Sequence, residues 1–170
     1  LTATTRAGFH RYIFPADETA YLSFDLQHRD QLMDVSYTMV SPTEIRGHRV
    51  SKAWANEQHF YFTIQFNQPY ELIYENASSV FPKSGPSIKK NTSFRLRFKN
   101  NNVLVKVGTS FTSIDGAVAN LNAEITHWDF NEIKNQAYQE WNRELSKIII
   151  KTNKNQLNQK IVFYTSLYHS

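Results

Sequence analysis

The chain has 170 residues, of which 41% are hydrophobic and 20% charged, and its formal net charge is +4. That is enough for one domain with its own core, with or without an appendage, and the charge is too mild to demand a polyanion partner. Cysteine is absent, which excludes disulfides and thiolate metal sites, and no apolar run is long enough to span a membrane as a helix.

The chain opens on Leu1 in LTATTRAGFH, with neither an initiator methionine nor an apolar signal core. The start is therefore expected to be a cut, with any signal segment upstream or removed. Residues 8–14, 20–27, 33–40, 44–50, 59–68, 70–75, 93–99 and 103–112 are each rich in β-branched or aromatic side chains. Turn-forming clusters separate them, among them Pro15-Ala16-Asp17, Ser41-Pro42, the Pro82 to Pro86 stretch and Asn100-Asn101-Asn102. Leu22, Phe24 and Leu26 alternate with Ser23, Asp25 and Gln27, and Phe94, Leu96 and Phe98 alternate with Arg95, Arg97 and Lys99. Successive side chains of a strand point to opposite faces, so this pattern predicts half-buried antiparallel strands. About eight such runs with short turns predict a β-sandwich.

The period then changes from two to three or four. Asp115 is the expected N-cap of a short helix over 117–121. Asp129 and Glu132 have the spacing of a capping box before Ile133, Ala137, Trp141, Leu145 and Ile148, which predict an amphipathic helix of roughly five turns. Residues 151–156 are a polar break, and 157–168 predict another helix. That last helix carries Leu157, Ile161, Val162, Phe163, Tyr164, Leu167 and Tyr168 on nearly every side. A helix apolar all round needs partners all round, so the natural polypeptide is expected to continue. The fold class expected is mainly β with C-terminal helices, an antiparallel β-sandwich followed by a helical linker.

Candidate chemistry is sparse. The histidines at 10, 28, 48, 59, 127 and 169 form no HxxH or HExxH pair, so a structural zinc site has no support. His10, between Phe9 and Arg11, reads as a half-exposed strand residue. With five glycines and no GxSxG, P-loop or GxGxxG, phosphate-cradling loops are not expected. Asp129 and Glu132 are explained by capping at least as well as by acid–base work, since paired glycosidase carboxylates must flank a cleft. Lys83, Lys89, Lys90, Arg95, Arg97 and Lys99 form a basic set with Phe94 and Phe98 interleaved. Alternation puts those rings opposite the arginines, whereas a base-stacking platform needs both on one side, so no nucleic-acid partner is expected. Asn76 and Asn91 begin N-glycosylation patterns that carry no weight in so asparagine-rich a chain. Trp54 has two readings: an indole at a strand end that stacks on the C–H face of a sugar, or a cap on the sandwich core, where tryptophan is usually found.

Seven stretches together resemble glycoside hydrolase family 92. They are LTATTRAGFHRYIFP at 1–15, GHRVSKAWA at 47–55, Tyr61-Phe62 with the later 66–69, KVGTSF within 105–111, AEITHWDF at 123–130, WNRELSKI at 141–148 and FYTSLYH at 163–169. They run in order from end to end of the chain. Ala53 departs from the glycine expected before the tryptophan, which bears on any role carried over to Trp54. The resemblance implies a calcium-dependent exo-α-mannosidase, of α-1,2 type, that removes terminal mannose from glycans with inversion. It implies a β-sandwich (1–112, the later part of the family's N-terminal domain), a helical linker (113–155) and the first helix of an (α/α)6 catalytic barrel (156–170). The general acid, the general base and the calcium ligands would then lie in the barrel, with no catalytic or metal residue in this segment. The two carboxylates would stand about 6.5–9.5 Å apart to admit the attacking water. Partners implied are mannose-containing glycans and the rest of the barrel, and the location implied is periplasmic, cell-surface or secreted. The alternative expectation is a stand-alone carbohydrate-binding β-sandwich with Trp54 in its platform.

Overall fold

The alternating runs become nine strands in the computed structural model, which describes residues 1–169. They are β1 (Thr2–Ala3), β2 (Ala7–Ile13), β3 (Ala20–Asp25), β4 (Gln31–Ser41), β5 (Glu44–Lys52), β6 (Gln58–Phe66), β7 (Tyr70–Val80), β8 (Ile88–Phe98) and β9 (Asn102–Ser110). Six form one sheet in the order β1-β2-β9-β6-β5-β4, and three form a second in the order β3-β8-β7. All pairings are antiparallel.

The sheets face each other across one core. Phe94, Leu96, Phe98 and Ala20 of the smaller sheet meet Ile45, Phe62, Ile64, Phe66, Val103 and Val105 of the larger, all buried. Arg95 and Arg97, one residue out of phase, are exposed, as a period of two requires. Stacked and edge-on rings add directional packing: Phe24 stacks on Phe94 at 4.9 Å, and Phe66 meets Phe98 at 5.2 Å.

The β7–β8 hairpin is longer than its apolar residues suggest. Pairing continues from Ala77↔Asn91 to Val80↔Ile88, through Ser78, Ser79, Lys89 and Lys90, whose polar side chains hide the strand from a hydrophobicity pattern. The turn is thereby confined to 81–87, where Gly85 has a φ of 94° that side-chain-bearing residues rarely adopt. Asn76 and Asn91 lie within these two strands.

Helices cover the outer face of the larger sheet. α1 (Ile114–Glu124) begins earlier than expected. Its N-cap is Ser113 rather than Asp115, because Ser113 is extended and its hydroxyl accepts the Gly116 N–H at 2.9 Å. Asp115 instead sits in the first turn, where its charge suits the helix dipole. The helix lies close on β9: a Cβ on Gly108 would come within 2.3 Å of the Ala117 carbonyl oxygen. α2 (Phe130–Leu145) is capped by Asp129, whose carboxylate accepts the N–H groups of Asn131 and Glu132 at 2.9 and 3.0 Å. Its end precedes Ile148-Ile149-Ile150, a β-branched run that disfavours helix. Phe130 and Ile133 are buried with Ala7, Phe9, Leu121 and Ile125 in a second core. Farther along the predicted stripe, Trp141 and Ile148 are half exposed. α3 (Leu157–His169) follows a short 3-10 turn, touches α2 through Trp141 and Tyr168 at 4.4 Å, and buries none of its described residues.

Candidate functional site

Strand register brings four connections to one end of the sandwich. Asp25 pairs with Ser93, Gln31 with Lys52, Ser51 with Gln58, Val80 with Ile88 and Tyr61 with Ser110. The loops 26–30, 53–57, 81–87 and 111–113 therefore gather there, as loops cluster at the ends of sandwiches generally. They carry Trp54, Phe81 and Phe111, exposed by 105%, 47% and 69%.

Trp54 does not cap the core. The five-residue connection between β5 and β6 projects beyond the sheet, and the core beneath that end is closed by Leu32, Val35 and Val80. A hydrogen bond from the Ala53 N–H to the Ala55 carbonyl at 3.2 Å closes the loop on itself, and Lys83 reaches Glu57 at 3.3 Å from the neighbouring loop. Beside it lies a cleft of about 440 Å3, with Lys52, Asn56, Glu57 and Lys83 as polar walls and Met33 and Phe81 as apolar ones. Planar polar groups beside exposed rings are the means by which proteins hold a neutral, hydroxyl-rich ligand with apolar C–H faces.

Arg49 organises the other side. Its guanidinium donates to the carbonyls of Leu26 at 2.8 Å and His28 at 3.0 Å and stands 3.9 Å from Asp30. The loop it holds contains Arg29 at a φ of 65°, the left-handed region that costs a side-chain-bearing residue energy. Neither Arg49 nor Phe111 stands out in the sequence as a site residue. Arg49 reads as one polar residue of a strand, and Phe111 reads as the last apolar residue of one.

The remaining titratable groups have structural partners. Asp34, His48 and Ser36 form a chain in which His48 Nε2 meets Asp34 at 3.0 Å and Nδ1 meets Ser36 Oγ at 2.9 Å. Lys90 binds the same carboxylate. Burial alone would raise the Asp34 carboxyl, but the hydrogen bonds from Lys90 and His48 outweigh it and hold it below its usual value. With its charge shared by a lysine, Asp34 is poorly placed to drive a histidine–serine relay. The network instead spans a bulge in β4 between Leu32 and Asp34. Lys106 is buried under the α1–α2 junction, where Nζ donates to the Ile125 carbonyl at 3.1 Å and lies 4.1 Å from the Trp128 ring centroid. Burial pushes its ammonium group below the usual lysine value.

Asp129 and Glu132 do not form an acid–base pair across a cleft. Asp129 is occupied as a cap, and Glu132 stands 3.5 Å from His127 and accepts from Gln136. His10 is half buried and hydrogen-bonded to the Tyr12 hydroxyl. Phe94 and Phe98 are buried on the face opposite Arg95, which donates to Ser23, and Arg97, which pairs with Glu71. Among the described residues no three His, Asp or Glu side chains converge as a metal site, and no buried side-chain polar atom lacks a partner. Among the described residues no such cluster offers a carboxylate donor set for the calcium implied by the sequence resemblance.

Comparison with known proteins adds independent findings. The family model described as the glycosyl hydrolase family 92 N-terminal domain matches residues 1–110, and that of the family's catalytic domain matches residues 116–170. The fold is similar to a family GH92 alpha-mannosidase from Bacteroides thetaiotaomicron, at a TM-score of 0.78 and 27% identity, over 98% of this chain and 24% of that one. A structure of the same enzyme in complex with mannoimidazole gives 0.77 and 27%, over 98% and 23%. A family GH92 inverting mannosidase from the same organism gives 0.77 at 22% identity, over 98% and 23%, a likeness of fold alone. The chain thus spans about a quarter of the length of the mannosidases it matches. Among curated proteins nothing matches.

Proposed function

The chain belongs to glycosyl hydrolase family 92, and from that premise we propose that it is the scaffold portion of a longer, secreted exo-acting α-mannosidase of α-1,2 type. In this proposal residues 1–112 are the later part of the N-terminal sandwich, 113–155 the linker and 156–170 the first helix of an (α/α)6 barrel. The barrel supplies the acid, the base and the calcium ligands for an inverting hydrolysis of terminal mannose. The segment supplies no catalytic group, and its Trp54 end offers a sugar contact.

One observation carries the proposal: two family models follow one another along the chain, sandwich then catalytic domain. The exposed apolar face of α3 agrees with it, since Leu157, Ile161 and Val162 are each more than half exposed in the region matched to the catalytic domain. Residues 1–110 brace that region through the second core, where Phe9 meets Phe130 edge-on at 5.4 Å and Arg11 lies over the Phe130 ring.

The test is an amide-shift titration of the 170-residue chain with mannose and α-1,2-mannobiose, with and without calcium, alongside an assay for released mannose. Shifts that include residues 52–57, and no release, are expected. Release of mannose by this chain alone would overturn the scaffold assignment. A stand-alone carbohydrate-binding module is the second reading, favoured by the full exposure of Trp54. It requires this chain alone to bind the disaccharide as tightly as the full-length enzyme does.

A further inference from the structure

We propose that the sandwich end carries a second sugar subsite, on the far side of the β5–β6 loop from the cleft lined by Lys52 and Lys83. It is formed by Asp25, His28, Asp30, Arg49, Gln58 and Phe60. The inference rests on the reading that this end meets glycan, and it extends the contact from one sugar ring to at least two.

These residues line a cleft of about 290 Å3 between the 26–30 loop and the β5–β6 hairpin. That is near the lower end of small-molecule sites. Its wall is set in advance: Arg49 Nε and Nη2 hold the carbonyls of Leu26 and His28, and Ser51 Oγ, itself buried, donates to Asp30. A wall fixed by such bonds binds with little ordering cost. The Gln58 amide and the His28 ring are exposed and have no hydrogen-bond partner within the described residues. They remain available as donors and acceptors. Phe60 forms one side, and Phe111 lies edge-on beyond it at 6.1 Å with 69% of its surface exposed.

The lining selects the ligand class. Two carboxylates beside one guanidinium and one imidazole disfavour an anionic ligand. An apolar ligand would leave the carboxylates, amide and guanidinium desolvated. A neutral pyranose meets both demands, because vicinal hydroxyls can bridge planar carboxylate and amide groups while C–H faces lie on Phe60 and Phe111. The two clefts flank the strand ends joined by the Trp54 loop: Gln31, Lys52 and Glu57 line one, and Asp30, Ser51 and Gln58 line the other. A linear oligosaccharide can cross that loop and place a ring on either side.

The experiment is an amide-shift titration of the chain with α-1,2-mannobiose and the corresponding mannotriose, repeated for Phe111→Ala and Gln58→Ala. Both side chains are exposed, so the variants are expected to fold, which their dispersed spectra verify. Shifts are expected at 26–30, 49–51 and 58–60 as well as at 52–57, with the trisaccharide binding more tightly. Phe111→Ala should weaken the trisaccharide by about 3- to 10-fold, the worth of one aromatic contact, while leaving shifts at 52–57. Shifts at 52–57 alone would overturn the second subsite and leave the Trp54 contact standing. Shifts at 26–30 and 58–60 alone would support the second subsite and remove Trp54 from the contact. No shifts in either set would overturn both.

Discussion

The β8 strand and the α3 helix are both rich in large apolar side chains, yet they differ completely in what covers them. Phe94, Leu96 and Phe98 are at most 3% exposed, whereas Leu157, Ile161 and Val162 are 55–64% exposed. A strand with period two presents one apolar row, and an opposing sheet covers that row in full. A helix apolar on every side has no single row to present, and among the described residues α2, through Trp141, and the connection after it, through Ile148 and Ile150, meet only part of its surface. Burial of a large side chain is worth about 1.5–3 kcal/mol, so similar residues stabilise one region strongly and the other hardly at all.

Substitutions along the chain should sharpen that contrast. Phe94→Ala removes a ring packed against Phe24 and Tyr37 and should cost about 3–5 kcal/mol in chemical denaturation. A loss below about 1 kcal/mol would mean that the sandwich core is not the principal source of stability. Gly108→Ala pushes a methyl group into the Ala117 carbonyl and Leu121. Displacement of α1 should cost about 1–3 kcal/mol, seen as faster amide exchange in 114–124 with the sandwich strands still protected.

Glu124→Gln should cost about 1–2 kcal/mol, because this carboxylate accepts from Thr4, from the Arg6 N–H and from the Arg6 guanidinium. Burial raises its pKa, but those three donors prevail and hold it below the usual value. A depressed carboxylate stabilises the fold fully above its unfolded value, about pH 4.3. That stability is lost as pH falls through the lower folded value. The substitution should therefore flatten the stability profile below about pH 4.3, read from acid titrations monitored by circular dichroism. Smallest of all, Ile161→Ser in α3 should change stability by less than about 0.5 kcal/mol. Sedimentation should nonetheless show less self-association, because exposed apolar surface is removed. A cost comparable to that of Phe94→Ala would show α3 packed in a way its exposure denies.

Much of the architecture was legible because the alternation was strict where one face is buried. Leu96 between Arg95 and Arg97 could belong only to a half-buried strand, and Asp129 ahead of Ile133 announced the start of α2. The β7–β8 extension was not legible, since Ser78, Ser79, Lys89 and Lys90 pair through their backbones and leave no apolar signature. The cap of α1 was misplaced by two residues because Ser113 and Asp115 are both good caps, and only the backbone decides which hydroxyl or carboxylate reaches a free N–H. At the candidate site, Trp54 is legible in the sequence as an indole at a strand end. Arg49 and Phe111 are not, because their roles depend on loops 26–30 and 111–113 meeting at one end.

By itself the sequence determined which residues alternate, where helices replace strands, the absence of thiol chemistry and a pattern of motifs that points to one family. Tertiary structure decided that Trp54 stands in solvent rather than over the core, that Lys106 lies buried beneath Trp128, and that four connections far apart in sequence share one end. Periodicity is a local property, carried by neighbouring side chains on one backbone. The exposure of a side chain depends on what the rest of the chain brings to it, and no local pattern encodes that.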